Sequence, residues 1–559
     1  MFLMLSIRLV DLQGIQHRTL HDKAKRQHER QRNLPAKRGN IYDRNGNMLA
    51  TSTHRPSVYA TLPALRDPET TLIHIAPGLR SDALAQRLQR NKHRSFAWLY
   101  RKTDPESAIR LQQVEGIKIQ MEDTRIYPNR TLLGQVLGFT DIDQQGLEGI
   151  EEQYDQKLRG QTLQRQVWQD ALGRPILEVR PEQAHVHGDD LYLTIDESIQ
   201  HISQRELMGA VRRNEAKGGV VIVMNPHNGE ILALAVAPEF NPNPSRLMPS
   251  AWRNRAIADL YEPGSTFKIV TAAAALDAGM IRPETLVNCE QGAYRFSDLG
   301  AVIHDHHPVG VVTFREAMAR SSNICMVKVA RRLGAELLLS YIQAFGFGAP
   351  LGIDLAGEAA GKIRPIERWS KRSLASVAIG QEIGVTPIQM AAAMSVIANG
   401  GQRVVPRLGL YSCEEERCAQ PTQVVISYET AHEMTHILKG VVSQTGTGTS
   451  AAILGFTVAG KTGTAQKWDA KLGRYATDRH VSSFVGFVPA DNPAVVILVI
   501  IDEPQGKGWG GTVAAPVFSR IGAQTLHRLR IRPDRPQPEQ RPLPMREALE
   551  VTGQEKSSG

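Results

Sequence analysis

Two pairs of apolar, β-branched runs constrain this chain more than any other feature. GGVVIVM (218–224) and EILALAVA (230–237) are joined by Asn225-Pro226-His227-Asn228-Gly229. VSSFVGFV (481–488) and AVVILVII (494–501) are joined by Pro489-Ala490-Asp491-Asn492-Pro493. Asn-Gly between β-rich runs is a hairpin signal, and the proline-flanked turn works the same way. Between the hairpins lie helical patterns at 265–279, 313–333, 387–398 and 429–442. LYLTID before the first hairpin reads as a strand, and Glu197 to Glu215 as a helix. Hairpins at both ends with helices between predict an α+β fold: an antiparallel sheet with helices on its faces.

The rest of the 559 residues divides around this core. Residues 1–13 form an apolar start, 14–183 a region of charged helix followed by mixed strands and turns, and 184–526 the core. Residues 527–559 hold five prolines between 533 and 544 and read as a disordered tail. The formal net charge of +9 invites a nucleic-acid partner. Its placement argues against one. Residues 1–40 carry nine Lys/Arg against three Asp/Glu, and 527–559 seven against five, so the body between is nearly neutral. Four cysteines exclude a disulfide-framed scaffold. Cys413 and Cys418, in YSCEEERCAQP, are open to two readings, a local disulfide or two idle thiols. Eight of the first ten residues are apolar, where a membrane-spanning helix needs about 20. MFLMLSIRLV also has neither the basic lead nor the small-residue cleavage site of a signal peptide.

Three short motifs carry chemistry. In YEPGSTFKIVTAAAALDAG, Pro263 and Gly264 break the chain and the alanine-rich run then favours helix. Ser265 therefore sits near a helix N-terminus, with Lys268 one turn on along the same face. A lysine of lowered pKa can take the serine proton, and helix N–H groups can face an oxyanion. In FREAMARSSNICMVKVARRLG, Ser321 and Asn323 fall near one another at a bend or helix junction, where a hydroxyl relays a proton and an amide bonds a substrate backbone. The bland alternative is a helix cap. In FTVAGKTGTAQ, a strand leads into Lys461, Thr462, Gly463 and Thr464. The missing side chain of Gly463 would let an extended peptide pair with this edge, and Lys461 with the threonine hydroxyls would hold a carboxylate.

The order and spacing of these motifs, 56 and then 140 residues apart, are those of the penicillin-recognising serine enzymes. The chain resembles a class B penicillin-binding protein over most of its length. Arg38-Gly39-Asn40-Ile41-Tyr42-Asp43-Arg44-Asn45-Gly46 is similar to the family's R-G-x-I-x-D-R-x-G box, and GLEGIEEQYDQKLRG (146–160) to its later pedestal box. LTIDESIQ, GQEIGVTPIQMA and GGTVAAPVF match further signposts. Tyr261-Glu262-Pro263-Gly264-Ser265 resembles the septal, FtsI- and SpoVD-like branch; the elongation branch usually has proline in place of Glu262.

The resemblance implies a penicillin-binding transpeptidase fold on an elongated N-terminal pedestal, and a peptidoglycan D,D-transpeptidase that β-lactams acylate. Ser265 would attack the penultimate D-alanine carbonyl and Lys268 would take its proton. Ser321, backed by Lys461, would return a proton to the departing D-alanine. Asn323 would bind the donor amide, and Thr462 and Thr464 the terminal carboxylate. The backbone N–H groups of Ser265 and Thr464 would form the oxyanion hole. No metal or organic cofactor is expected. Stem peptides, a SEDS glycosyltransferase and divisome membrane proteins are the implied partners. SIRLVDLQ resembles the outer end of a single-pass inner-membrane anchor, which places the start codon upstream and the catalytic part on the extracytoplasmic side.

Competing readings exist. Gly455 to Thr462 matches G-x-x-x-x-G-K-T, and Asp502 and Glu503 end an apolar strand as in a P-loop NTPase, although Phe, Thr, Val and Ala suit a strand better than a phosphate cradle. A scaffold or β-lactam sensor would keep the fold without the chemistry, and a carboxypeptidase or β-lactamase would hydrolyse instead of transferring. His304-Asp305-His306-His307 offers possible metal ligands but reads as a polar loop. Glu151, Glu152 and Asp155 read as a solvated helical face.

Overall fold

The computed structural model describes residues 2–34, 36–61, 96–112, 116–161, 163–169, 175–178, 187–243, 252–296, 301–410, 423–469, 471, 473–506 and 508–536. It opens on a helix, Phe2–Val10, whose apolar side chains are exposed, and a second helix, His17–His28. No described helix is long and apolar enough to cross a membrane. Cys413 and Cys418 lie outside the described residues.

The pedestal is a small sheet. Strands β1 (Ile41–Tyr42), β2 (Met48–Thr61), β3 (Phe96–Tyr100) and β4 (Ile117–Ile126) lead to the short helix α1 (Gly149–Gln153) and to β5 (Leu191–Tyr192). The order is β3-β2-β1-β5, with β4 also paired along β2 and β1 parallel to β5. LYLTID thus supplies only a two-residue strand, because Thr194 and Asp196 turn away to bond the catalytic domain.

Glu151 overturns the solvated-face reading. It is fully buried, and its carboxylate accepts from Arg38 Nε at 2.6 Å and Arg125 Nε at 2.6 Å. Asp155 accepts from Arg38 Nη1 at 2.6 Å, while Glu152 stays exposed as expected. The two pedestal boxes are therefore halves of one buried charge cluster. Helical periodicity could not reveal it, because the arginines that bond Glu151 lie on other elements.

The catalytic domain follows with α2 (Glu197–Arg213), β6 (Gly218–Met224), β7 (Ile231–Ala237), α3 (Lys268–Asp277), α4 (Phe314–Ala319), α5 (Asn323–Leu333), α6 (Pro387–Ala398), α7 (Tyr428–Val442), β8 (Ala459–Asp469), β9 (Arg474–Val488), β10 (Val495–Asp502) and α8 (Ala515–Arg528). The five strands form one antiparallel sheet in the order β7-β6-β10-β9-β8. Both predicted hairpins are present, and pairing β6 with β10 brings the two ends of the domain together. The sheet is covered on both faces, which explains its uninterrupted apolar runs. Val221, Val223 and Val499 pack with Ile199 and Leu207 of α2 and Phe518 and Ile521 of α8. Val220, Ile222 and Leu498 point the other way, into the core that holds α3 and α6. Residues 527–536, expected within a disordered tail, instead complete α8 and fold back: Asp534 accepts from Thr457 N at 2.8 Å, and Arg535 N donates to Gly455 O.

Candidate active site

The site forms where α3, the α4–α5 junction and β8 meet. Gly264 takes a left-handed backbone (φ +54°) and donates to Gly380 O, which turns the chain sharply. A tight turn, Gly264–Phe267, then feeds α3 and leaves Ser265 half-buried at the helix entry.

Lys268 is fully buried. Its Nζ donates to Ser321 O and Asn323 Oδ1, each at 2.7 Å, and lies 3.4 Å from Ser321 Oγ. Burial brings its pKa down to about 7, against the opposing pull of the Asp305 carboxylate. Lys461 is also fully buried and donates to Ser321 Oγ at 2.8 Å. Burial first, and then the neighbouring charge of Lys268, push its pKa well below the ordinary lysine value. Ser321 is thus held between two lysines that both favour the neutral form. Its own backbone is in the left-handed region (φ +60°), a strained state found where surrounding contacts over-determine a site.

The predicted 313–333 helix is broken at this point into α4 and α5, and the break presents Ser321 to the lysines. The cap reading of Ser-Ser-Asn applies to its middle residue. Ser322 is the helix cap, accepting from Cys325 N, while Ser321 and Asn323 face Lys268.

The His304–His307 loop is no mere polar loop. Asp305 caps α5 a second time: it accepts from Ser322 Oγ at 2.6 Å, Asn323 N at 2.5 Å and Ile324 N at 3.1 Å. His304 O accepts from Asn323 Nδ2. No cluster of three or more potential metal ligands occurs among the described residues. The loop is tied down from below. Cys325 on α5 forms a disulfide with Cys289, which precedes the hairpin Ala293–Phe296/Ala301–His304 that carries the loop. Neither cysteine has a partner within easy sequence reach, so spacing gave no sign of the pair.

On β8, the edge strand, Thr462 Oγ1 lies 2.7 Å from Thr447 Oγ1, and Thr464 Oγ1 accepts from Gly510 N at 3.0 Å. Gly463 has a reason the sequence did not suggest. A Cβ there would meet Ser483 Oγ at 2.5 Å and Thr266 Cγ2 at 2.9 Å, so the missing side chain lets β8 close onto the Ser265 turn. The phosphate-loop reading fails here, since Lys461 is buried within a strand and Asp502 is engaged by Arg255 and Lys467.

Ser265, Asn323 and Thr464 line one open cavity of about 420 Å³, together with His306, Gln381 and Trp509, which the motifs did not flag. Behind the turn, Glu262 accepts from Glu382 N and from Tyr475 OH, and burial raises its pKa to about 7.

A nucleophile turn, two depressed lysines and an open edge strand on this sheet define a serine acyl-transfer enzyme of the penicillin-binding class. Comparison with known proteins gives the family. Residues 219–523 match the penicillin binding protein transpeptidase domain, and 33–193 the penicillin-binding protein dimerisation domain. The chain is 35% identical to stage V sporulation protein D of Bacillus subtilis, over 97% of its own length and 86% of that protein's. It is 32% identical to peptidoglycan D,D-transpeptidase FtsI of Escherichia coli, covering 89% and 84%. Penicillin binding protein 3 of Mycobacterium tuberculosis, solved with ampicillin, superposes with a TM-score of 0.70 at 28% identity, covering 91% of this chain and 98% of that one. The chain belongs to the class B penicillin-binding proteins, and is a transpeptidase with the α+β fold of that family.

Proposed function

We propose that this D,D-transpeptidase cross-links peptidoglycan stem peptides in septal wall synthesis and is inhibited covalently by β-lactams. The observation that carries the proposal is the continuous hydrogen-bonded path Lys268–Ser321–Lys461 beside Ser265. Ser265 attacks the penultimate D-alanine carbonyl. Lys268, half neutral already at about pH 7, takes the proton. Ser321, with Lys461 behind it, delivers a proton to the departing D-alanine. Asn323 bonds the donor amide, and Thr462 and Thr464 the terminal carboxylate. The N–H groups of Ser265 and Thr464 receive the oxyanion. An acceptor amine then resolves the acyl-enzyme.

The disulfide supports an extracytoplasmic setting, since such bonds persist in oxidising compartments. Glu262, tied to both the 380–382 segment and the β8–β9 hairpin, supports the septal branch. A membrane anchor, a SEDS glycosyltransferase and divisome partners belong to this reading, as does the division into a pedestal (14–183) and a catalytic part (184 onward).

Fluorescent penicillin tests the mechanism. Wild type is expected to form a covalent adduct and Ser265→Ala none. A well-folded wild type that fails to label would sink the acyl-enzyme. Cross-linked dimers made from purified donor and acceptor strands would separate transfer from hydrolysis.

A further inference from the structure

The His304–His307 loop contributes more to the cleft than its cap on α5. His306 is exposed into the cavity that holds Ser265, Asn323 and Thr464. Its ring stands edge-on to Trp509, with centroids 4.7 Å apart and planes at 86°. Its loop is held by the three hydrogen bonds to Asp305 and by the bond to His304 O, so the imidazole is carried on the same support as Asn323.

Proton accounting shows what such a group is needed for. In the first half-reaction the serine proton ends on the departing amine, and the lysine–serine path finishes with the protons it started with. The second half is the same exchange reversed, so it requires a neutral amine. An aliphatic acceptor amine of ordinary basicity arrives as an ammonium, carrying one proton too many.

Resting on the acyl-enzyme mechanism above, we propose that His306 is a further catalytic residue, the base that removes this first proton from a primary ammonium acceptor. The imidazole takes the proton, and the freed nitrogen lone pair attacks the Ser265 ester carbonyl. The C–N bond forms, the ester C–O bond breaks, and a second nitrogen proton passes by way of Ser321 to Ser265 Oγ. The imidazolium returns its proton to water, to which the ring is open. The products are one amide, the regenerated serine and one proton in solution.

The surroundings keep the ring ready to accept. Partial desolvation first, and then whatever positive charge Lys268 of α3, His307 of its own loop and Lys461 of β8 carry, lower its pKa, with Asp305 opposing. His304 and His480 share the cavity.

The test is the partition of a preformed acyl-enzyme. A D-alanine-type thioester serves as donor and D-alanine as the ammonium acceptor, and the ratio of aminolysis to hydrolysis is read by mass spectrometry in wild type, His306→Asn and His306→Gln. This ratio does not depend on how fast the acyl-enzyme forms. At about pH 7 both variants are expected to lose about tenfold or more in the ratio, and to return to within about twofold of wild type at about pH 10.5, where the amine is largely free. With hydroxylamine, already neutral at pH 7, the variants should match wild type. An unchanged ratio with D-alanine would overturn the proposal. So would an equal fall with hydroxylamine, which would make His306 a shaper of the subsite. Failure of the wild type to form any acyl-enzyme would overturn the mechanism beneath it, a result distinct from the other two.

Discussion

On the proposed mechanism, Lys268 answers two opposing requirements. It must be basic enough to take a serine proton and yet unprotonated at working pH. Complete burial meets the second, and the bonds to Ser321 O and Asn323 Oδ1 hold the amine in place. Since its pKa lies near 7, the rate constant for penicillin acylation should rise as pH increases through that value and level off above it. Stopped-flow acylation from pH 5.5 to 9 checks this, and Lys268→Ala should lose about 10²- to 10⁴-fold. Glu262 behaves in the opposite sense. Its folded pKa, about 7, lies above the ordinary 4.5, so the folded state holds a proton that the unfolded chain releases. The stability it contributes is complete below pH 4.5 and is lost as pH rises towards 7. Glu262→Gln keeps the acceptor for Glu382 N and cannot ionise. The melting temperature of the variant relative to wild type should therefore climb between pH 4.5 and 7.5, and a flat difference would contradict the assignment.

At the scale of elements, the disulfide joins the start of the helix that bears Asn323 to the segment that leads into the hairpin before Asp305. A cross-link over 36 residues contributes about 2–4 kcal/mol, largely through the unfolded chain. Replacing both Cys289 and Cys325 by serine should lower the melting temperature, and reductant should lower the wild type more than the variant. The sheet and its helices were legible because hydrophobic period and turn chemistry are local, as the two hairpins and α7 illustrate. Ser265, Lys268, Ser321, Asn323 and Lys461 were legible as residue types at a known order and spacing. What escaped were contacts between distant elements. Asp305 on Asn323, Cys289 with Cys325, and Gly463 against Thr266 each follow from packing that no window of sequence contains. The break between α4 and α5 was half visible, since the serines suggested a junction within a pattern that otherwise ran on.

Across the whole molecule, partly buried polar ties join pedestal to catalytic domain. Tyr154 OH donates to Asp354 at 2.6 Å, and Arg44 and Arg407 both bond Glu230. Asn45 donates to Asp196, the cap of α2. Within the pedestal, Arg38→Ala would leave the buried carboxylate of Glu151 with Arg125 as its one cation, beside the Tyr127 hydroxyl. Removing one partner from such a cluster costs about 3–5 kcal/mol. A fall of that size in unfolding free energy, read in urea titrations, is expected, whereas Arg38→Lys should lose less. A change under 1 kcal/mol would show that the cluster matters little.

The parallel pairing of Ile41–Tyr42 with Leu191–Tyr192 carries a consequence for how the chain is made. A strand near the beginning waits for a partner some 150 residues later, and Arg38 waits for Glu151. At about 5–20 residues per second, the first box spends on the order of ten seconds or more as an unmatched edge with a bare guanidinium. The pedestal is thus a drawstring pouch, closed only when its far end emerges, and a nascent chain stalled before residue 191 would present an open strand to whatever it meets.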